Sequence, residues 1–158
     1  MTVRAWRITK AKHAATAFSG GGAKAYGGRW NSPGTAVVYA AGSTSLAILE
    51  MLVHLRAPEL MQRYVTFELA FDEKLVTPVE LAALPRNWRR SPSSPAVQQV
   101  GDDWAAEAGS AVLRVPSAVV PTEWNYLLNP AHPDYAKITI GPKRAIKFDP
   151  RLIKMSAP

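Results

Sequence analysis

The stretch GGRWNSPGTAVVYAAGSTSLAILEMLVHL, residues 27–55, decides how the rest of the chain is read. NSPG is turn chemistry between two short runs, AYGGRW and TAVVYAA, so residues 25–41 are expected to form a β-hairpin. Ser43 to Leu55 then offers hydroxyls for an N-cap, followed by Leu46, Ile48, Leu49, Met51, Leu52, Val53 and Leu55. These leave almost no polar side on a helical wheel, and a helix buried all round is expected. One carboxylate, Glu50, stands inside it, with Leu46, Ala47, Val53 and His54 as its i±3 and i±4 neighbours. An ionised carboxylate buried without partners costs several kcal/mol. Glu50 is therefore either a structural partner of His54 or a group kept for chemistry.

Outward from this segment, YVTFELAF (residues 64–71) alternates Val65, Phe67, Leu69 and Phe71 against Thr66 and Glu68, the pattern of a half-buried strand. A short helix is expected near Thr77 to Leu84. A Pro-rich polar loop, NWRRSPSSPAVQQ, ends in Ser94-Pro95, an N-cap and first helical residue, so a helix is expected from there to Ala108, weakened by Gly101 and ended by Gly109. SAVLRVPSAVVP supplies an apolar strand, TEWNYLLNPAHPDY a loop rich in Asn and Pro, and KITI and AIKFD two last strands around GPKR. The regular βαβα alternation of a doubly wound sheet is missing. The fold class expected is α+β: one domain over residues 1–158, a mixed or antiparallel sheet with flanking helices, and no internal repeat.

Composition narrows the function classes. The 47% hydrophobic and 20% charged residues are those of a globular protein, and no segment approaches the roughly 20 apolar residues of a membrane span. The N-terminal MTVRAWRITKAKH lacks the apolar core of a secretory signal, and zero cysteines exclude thiolate chemistry and disulfides, which together suit a cytoplasmic protein. Nineteen Lys and Arg against twelve Asp and Glu give +7, a charge that attracts phosphate-bearing ligands or an acidic partner. The short basic run PRNWRR reads as a solvated loop rather than a nucleic-acid tail.

Arg29 follows Gly27 and Gly28, residues that let a backbone approach a ligand while the Arg fork binds phosphate. Tyr39 offers an aromatic face for stacking or fills the core. In a two-residue hairpin register it falls on the opposite face from Arg29, so their convergence requires a bulge or another register. His13, His54 and His132 lack metal-ligand spacing and no metal site is expected. Ser117, in VPSAVVP, lacks the GxSxG elbow of a serine hydrolase.

The motifs occur in order: WRI with Arg7, GGRWN with Arg29, VVYAA with Tyr39, LAILEMLVHL with Glu50, VPSAVVP with Ser117, and NYLLNP with Asn125 and Asn129. Together they resemble the RES domain family, toxins of bacterial toxin–antitoxin pairs. The likeness runs from Trp6 to about Phe148 (motif-bearing part 6–148), and residues 72–110 carry no motif. It implies a fold similar to the ADP-ribosyltransferase toxins and an activity that consumes NAD as substrate, with no retained cofactor. On the family's pattern Glu50, Tyr39, Arg29 and Ser117 match catalytic positions, and Arg7, Arg29, Tyr39 and Asn129 match substrate-binding ones. The implied partner is an Xre-like antitoxin, through which alone DNA would be contacted. The acceptor stays open: water gives an NAD glycohydrolase, phosphate a phosphorylase, a protein side chain an ADP-ribosyltransferase. An alternative of another class is a basic ribonuclease using His54 or His132 with Arg29 on the scissile phosphate.

Overall fold

The strand at YVTFELAF holds the centre of one half of the molecule. In the computed structural model, which describes residues 1–155 with side chains to Leu152, it runs from Tyr64 to Asp72 (β3) and buries Val65, Phe67, Leu69 and Phe71, as its alternation predicts. It pairs antiparallel with the N-terminal strand Thr2–Lys10 (β1) without interruption, from Thr2↔Asp72 to Lys10↔Tyr64. The two short strands Thr139–Ile140 (β7) and Arg144–Ile146 (β8), also anticipated, line the other edge of β3.

The other half stacks Val76–Pro78 (β4), Val112–Pro116 (β5), Trp124–Leu128 (β6) and Val38–Ala41 (β2). Among the described residues the sheet has eight strands in the order β4-β5-β6-β2-β1-β3-β7, with β8 also on β3. Only β4–β5 is parallel. The expected α+β class with a mixed sheet is what the chain adopts. Helices Gly21–Tyr26 (α1), Thr44–Leu52 (α2), Ala57–Leu60 (α3), Pro95–Glu107 (α4) and Pro150–Met155 (α5) flank it. No helix among the described residues is long and apolar enough to cross a membrane.

The sheet is opened at one place. β1 and β2 share a single register pair, Trp6↔Ala41, whereas β2 and β6 are paired from Val38↔Leu128 to Ala41↔Asn125. Past Trp6 the gap is bridged by a side chain: Arg7 Nη1 donates to the Tyr39 carbonyl at 2.9 Å and Nε to the Ala17 carbonyl at 2.7 Å. A backbone acceptor deprived of its ladder partner must be satisfied some other way, and here a guanidinium does it.

Four expectations are corrected. The hairpin at 25–41 does not form: residues 21–26 are α1, Gly28 and Asn31 make an isolated bridge, and only 38–41 are strand. Asn31 is the cause, since its buried side-chain amide donates to the carbonyls of Ala23, Ser32 and Thr35 and so replaces a ladder. The helix near 77–84 is β4 followed by one 3-10 turn, Leu81–Ala83, because Val76 to Pro78 find a parallel partner in β5. WNYLL is a strand between β5 and β2 rather than part of a loop, the Pro residues on either side only bounding it. And α2 is not buried all round: Leu46 and Ala47 are, but Leu49 is 37% and the C-cap Val53 59% exposed, and Glu50, Met51 and Val53 line an open cleft.

The expected α4 is present, with Ser94 accepting from Val97 N–H at its N-cap and Ala108 in the left-handed region (φ 50°) closing it one residue before Gly109. Gly101 serves contact rather than weakness. A Cβ there would lie 1.9 Å from the Trp30 carbonyl oxygen, so α4 approaches the Arg29 segment only because this residue has no side chain.

Candidate functional site

The opening between β1 and β2 is the floor of a cleft of about 1070 Å³ lined by Arg7, Arg29, Tyr39, Glu50, Arg89 and Asn125, among others. The size suits a ligand larger than a monosaccharide. Arg29 and Tyr39 thus share one cavity without any hairpin register.

Tyr39 projects from β2 toward the loop before it. Its hydroxyl accepts from Trp30 N–H at 3.1 Å and donates to Asn31 Oδ1 at 2.6 Å. Burial is the main cause pushing its pKa well above the ordinary phenol range, with the nearby Asp102 charge adding and the Trp30 bond opposing, so the hydroxyl stays protonated. Gly28 makes this contact possible: a Cβ there would stand 2.7 Å from Tyr39 Oη and 2.9 Å from Asn31 Oδ1. The glycines before Arg29 therefore serve close packing. Ser32 reinforces the turn by donating from its N–H and its hydroxyl to the Asp102 carboxylate on α4.

Arg29 reaches across to the basic loop. Nη1 donates to the carbonyls of Trp88 (2.9 Å) and Arg90 (2.8 Å), and Ser93 Oγ donates back to the Arg29 carbonyl (2.6 Å). Trp88 packs near Trp30, with centroids 6.0 Å apart, and Arg89 Nε donates to the Ala118 carbonyl at 3.1 Å. PRNWRR is thereby a strap along the rim. Arg7 lies deeper. Burial lowers its pKa, the Tyr135 charge partly offsetting this, yet a guanidinium remains charged.

Glu50 extends from α2 toward the β5–β6 end of the sheet. Ser117 Oγ and Asn125 Nδ2 both donate to its Oε1, each at 2.7 Å. His54, the expected helical partner, is exposed on the cleft rim, and no hydrogen bond or ion pair joins it to Glu50. Ser117 is fully buried and does not line the cleft: Val119 and Val120 N–H groups donate to its Oγ at 3.1 and 3.0 Å, and its proton goes to Glu50. It holds the carboxylate rather than a ligand. Asn129 is also placed elsewhere. Buried at the far end of β6, it donates to the Ala105 carbonyl and accepts from Ala131 N–H, tying the sheet to α4, outside the cleft. Asn125 is the residue of that motif that reaches the site. Its signal was proximity in the same NYLLNP segment, obscured by reading the segment as a loop.

Among the described residues Glu50 is the one acidic residue lining the cleft, and no group of three His, Cys, Asp or Glu converges to hold a metal. A lone carboxylate in a cleft lined by three arginines can bind hydroxyls and stabilise developing positive charge while cations take up phosphate.

A family model described as the RES domain matches residues 4–149. A protein of Sphingobium sp. (strain YBL2) named Prs ADP-ribosylating toxin is 42% identical over 160 residues, covering 98% of this chain and 99% of its own length. Toxin Res of Yersinia enterocolitica is 36% identical over 93% of this chain and 97% of its own. A chain of the crystal structure of the M. tuberculosis MbcT–MbcA toxin–antitoxin complex superposes with a TM-score of 0.76 over 98% of this chain and 88% of that one, at 19% identity, a likeness of fold. Matched over nearly its whole length by the family model, and by relatives of similar length, this chain belongs to the RES domain family.

Proposed function

We propose that the chain is a toxin that consumes NAD by breaking the bond between nicotinamide and ribose, and that a cognate antitoxin protein holds it inactive. One observation carries the reading: a single carboxylate, gripped on one oxygen, stands in a cleft that also presents Arg7 and Arg29. Ordinary glycosidases need a second carboxylate as acid because their leaving group departs as an alkoxide. Nicotinamide is cationic in NAD and leaves neutral, so no acid is required. Glu50 then acts on the ribose, binding its hydroxyls and stabilising the oxocarbenium-like transition state, while Arg7 and Arg29 face the diphosphate and the Tyr39 ring forms a wall. NAD is substrate; nothing in the reading calls for a retained cofactor.

The relative named for ADP-ribosylating Prs favours a protein as acceptor over water or phosphate. Of the two histidines of the ribonuclease alternative, His54 lines the cleft with Arg29, and His132 lies outside it with Nδ1 accepting from Asp134 N–H. The toxin–antitoxin complex among the structural neighbours supports an antitoxin partner. A +7 chain favours one that presents acidic groups to the cleft, and an Xre-like partner would carry any DNA contact in the cytoplasm. Purified protein is incubated with NAD, alone and with desalted bacterial lysate as a source of acceptor protein, and, separately, with RNA, and the products are resolved by chromatography and mass spectrometry. Free nicotinamide is expected; intact NAD beside degraded RNA would sink the proposal. Co-expression with the adjacent gene product should restore growth and stop NAD loss.

A further inference from the structure

We propose that Asn125 is a positioning residue, which together with Ser117 occupies Oε1 of Glu50 so that Oε2 alone is presented to the substrate's hydroxyl groups. The proposal rests on the reading of the cleft as a ribosyl-cleaving site and deepens it.

Both donors meet the same oxygen, each at 2.7 Å, and Oε2 receives no hydrogen bond from the described residues. Neither donor has another choice. Ser117 Oγ accepts from two backbone N–H groups, which direct its proton to Glu50. Asn125 carries a further sign: its Oδ1 is buried and has no hydrogen-bond partner, although buried acceptors are nearly always paired. Turning the amide over would set Oδ1 against the carboxylate, acceptor on acceptor. The orphan carbonyl is thus the consequence of aiming Nδ2 at Glu50, a penalty the fold retains because that aim matters.

The sheet sets the aim. Asn125 is paired with Ala41 of β2 on one side and Val115 of β5 on the other, and Ser117 follows β5 directly, its N–H donating to the Glu123 carbonyl at 2.9 Å. A slip of one residue would turn Asn125 to the other face and leave Glu50 with one donor. Two rigid donors on Oε1 fix the carboxylate plane. Oε2 keeps its lone pairs for a ribose hydroxyl, whose bond strengthens as positive charge grows on the ring.

Asn125→Asp tests this, because it preserves shape while exchanging a donor for an acid. Two carboxylates on one oxygen site share a proton, so at low pH the protonated Asp donates to Oε1 as the amide did, and at high pH it repels. Nicotinamide release from NAD by Asn125→Asp, relative to wild type, is expected to fall more than tenfold at pH 8 and to recover several-fold at pH 5. Asn125→Ala is expected to lose kcat more than tenfold at every pH with KM within threefold. Wild-type kcat in Asn125→Asp across this range, or equal losses at both pH values, would overturn the proposal. A readout without substrate separates it from the parent reading: the side-chain amide resonance of Asn125 in ¹⁵N-labelled protein should move upfield in Glu50→Gln. If wild type leaves NAD intact while that resonance still follows Glu50, the assigned reaction fails and the grip stands. If the resonance ignores Glu50, the grip fails.

Discussion

Replacing Glu50 by Gln separates charge from shape. The two donors that hold Oε1 would hold the Gln amide oxygen as well, since it too has two lone pairs, and the NH₂ would fall where Oε2 stands. What changes is the strength of two bonds and the sign of what faces the cleft. Hydrogen bonds to a charged group contribute about 1.5–3 kcal/mol against about 1 for neutral pairs, so with two such bonds the fold should lose roughly 1–4 kcal/mol in all. For a chain of 158 residues that is a fall of roughly 2–16 °C in Tm. The reaction should lose more. Removing a preorganised electrostatic partner of a developing charge costs about 10²–10³ in kcat, and here the free acceptor oxygen becomes a donor as well. Nicotinamide release at saturating NAD, measured beside a thermal melt, checks both numbers. A rate within threefold of wild type together with the predicted fall in Tm would refute the reasoning and leave Glu50 a structural anchor of β5 and β6.

The other variants act on the frame of the cleft. Tyr39→Phe removes partners from Trp30 N–H and Asn31 Oδ1, so about 1–3 kcal/mol of stability and a raised KM for NAD are expected; a wild-type melt would show that these bonds hold nothing. Arg7→Lys loses the fork that bridges the Tyr39 and Ala17 carbonyls, and KM should rise at least tenfold, with unchanged kinetics placing Arg7 outside the site. Gly101→Ala should destabilise by about 1–3 kcal/mol or more through its clash with Trp30, whereas Gly109→Ala, with nothing within 4 Å, should not; chemical denaturation compares them. Burial raises the phenol pKa of Tyr39, Tyr64, Tyr126 and Tyr135, so the unfolded chain loses these protons first. Stability from this source is complete below the unfolded value of about pH 10 and is lost as pH rises toward the folded values, and urea melts at pH 9 and 11 should show Tyr39→Phe losing less than wild type.

Where local signals and tertiary contacts agreed, the structure was legible in advance. The alternation of β3 buries the residues it names, and Ser94-Pro95 opens α4 at the expected residue. Arg7, Arg29, Tyr39 and Glu50 all reach one cleft. Reading failed where a side chain took over the work of backbone. Asn31 satisfies three carbonyls of a loop whose turn residues suggested a hairpin, and nothing local distinguishes an Asn that folds inward from one that ends a strand. The same holds for Asn125, a polar residue in a strand between prolines. Its partner is 75 positions away, on a helix whose apolar sequence suggested full burial.

That helix explains why a polar site can be built from so apolar a stretch. α2 buries Leu46 and Ala47 in the core beside Ile8, Ala41 and Tyr64 with Ile48 and Met51 packed against it, while Ala47, Met51 and, past the helix end, Val53 and Leu55 line the cleft around Glu50. Apolar walls keep water from competing for Glu50, so a charge on the ligand is met by fixed donors and acceptors instead. The opening between β1 and β2 then needs a polar filler, and Arg7, which also lines the cleft, provides it. A strand pair that closed fully would satisfy its backbone without Arg7, but it would also close the floor on which Glu50 and Tyr39 meet. The missing ladder bonds are therefore the structural condition for having a site at all.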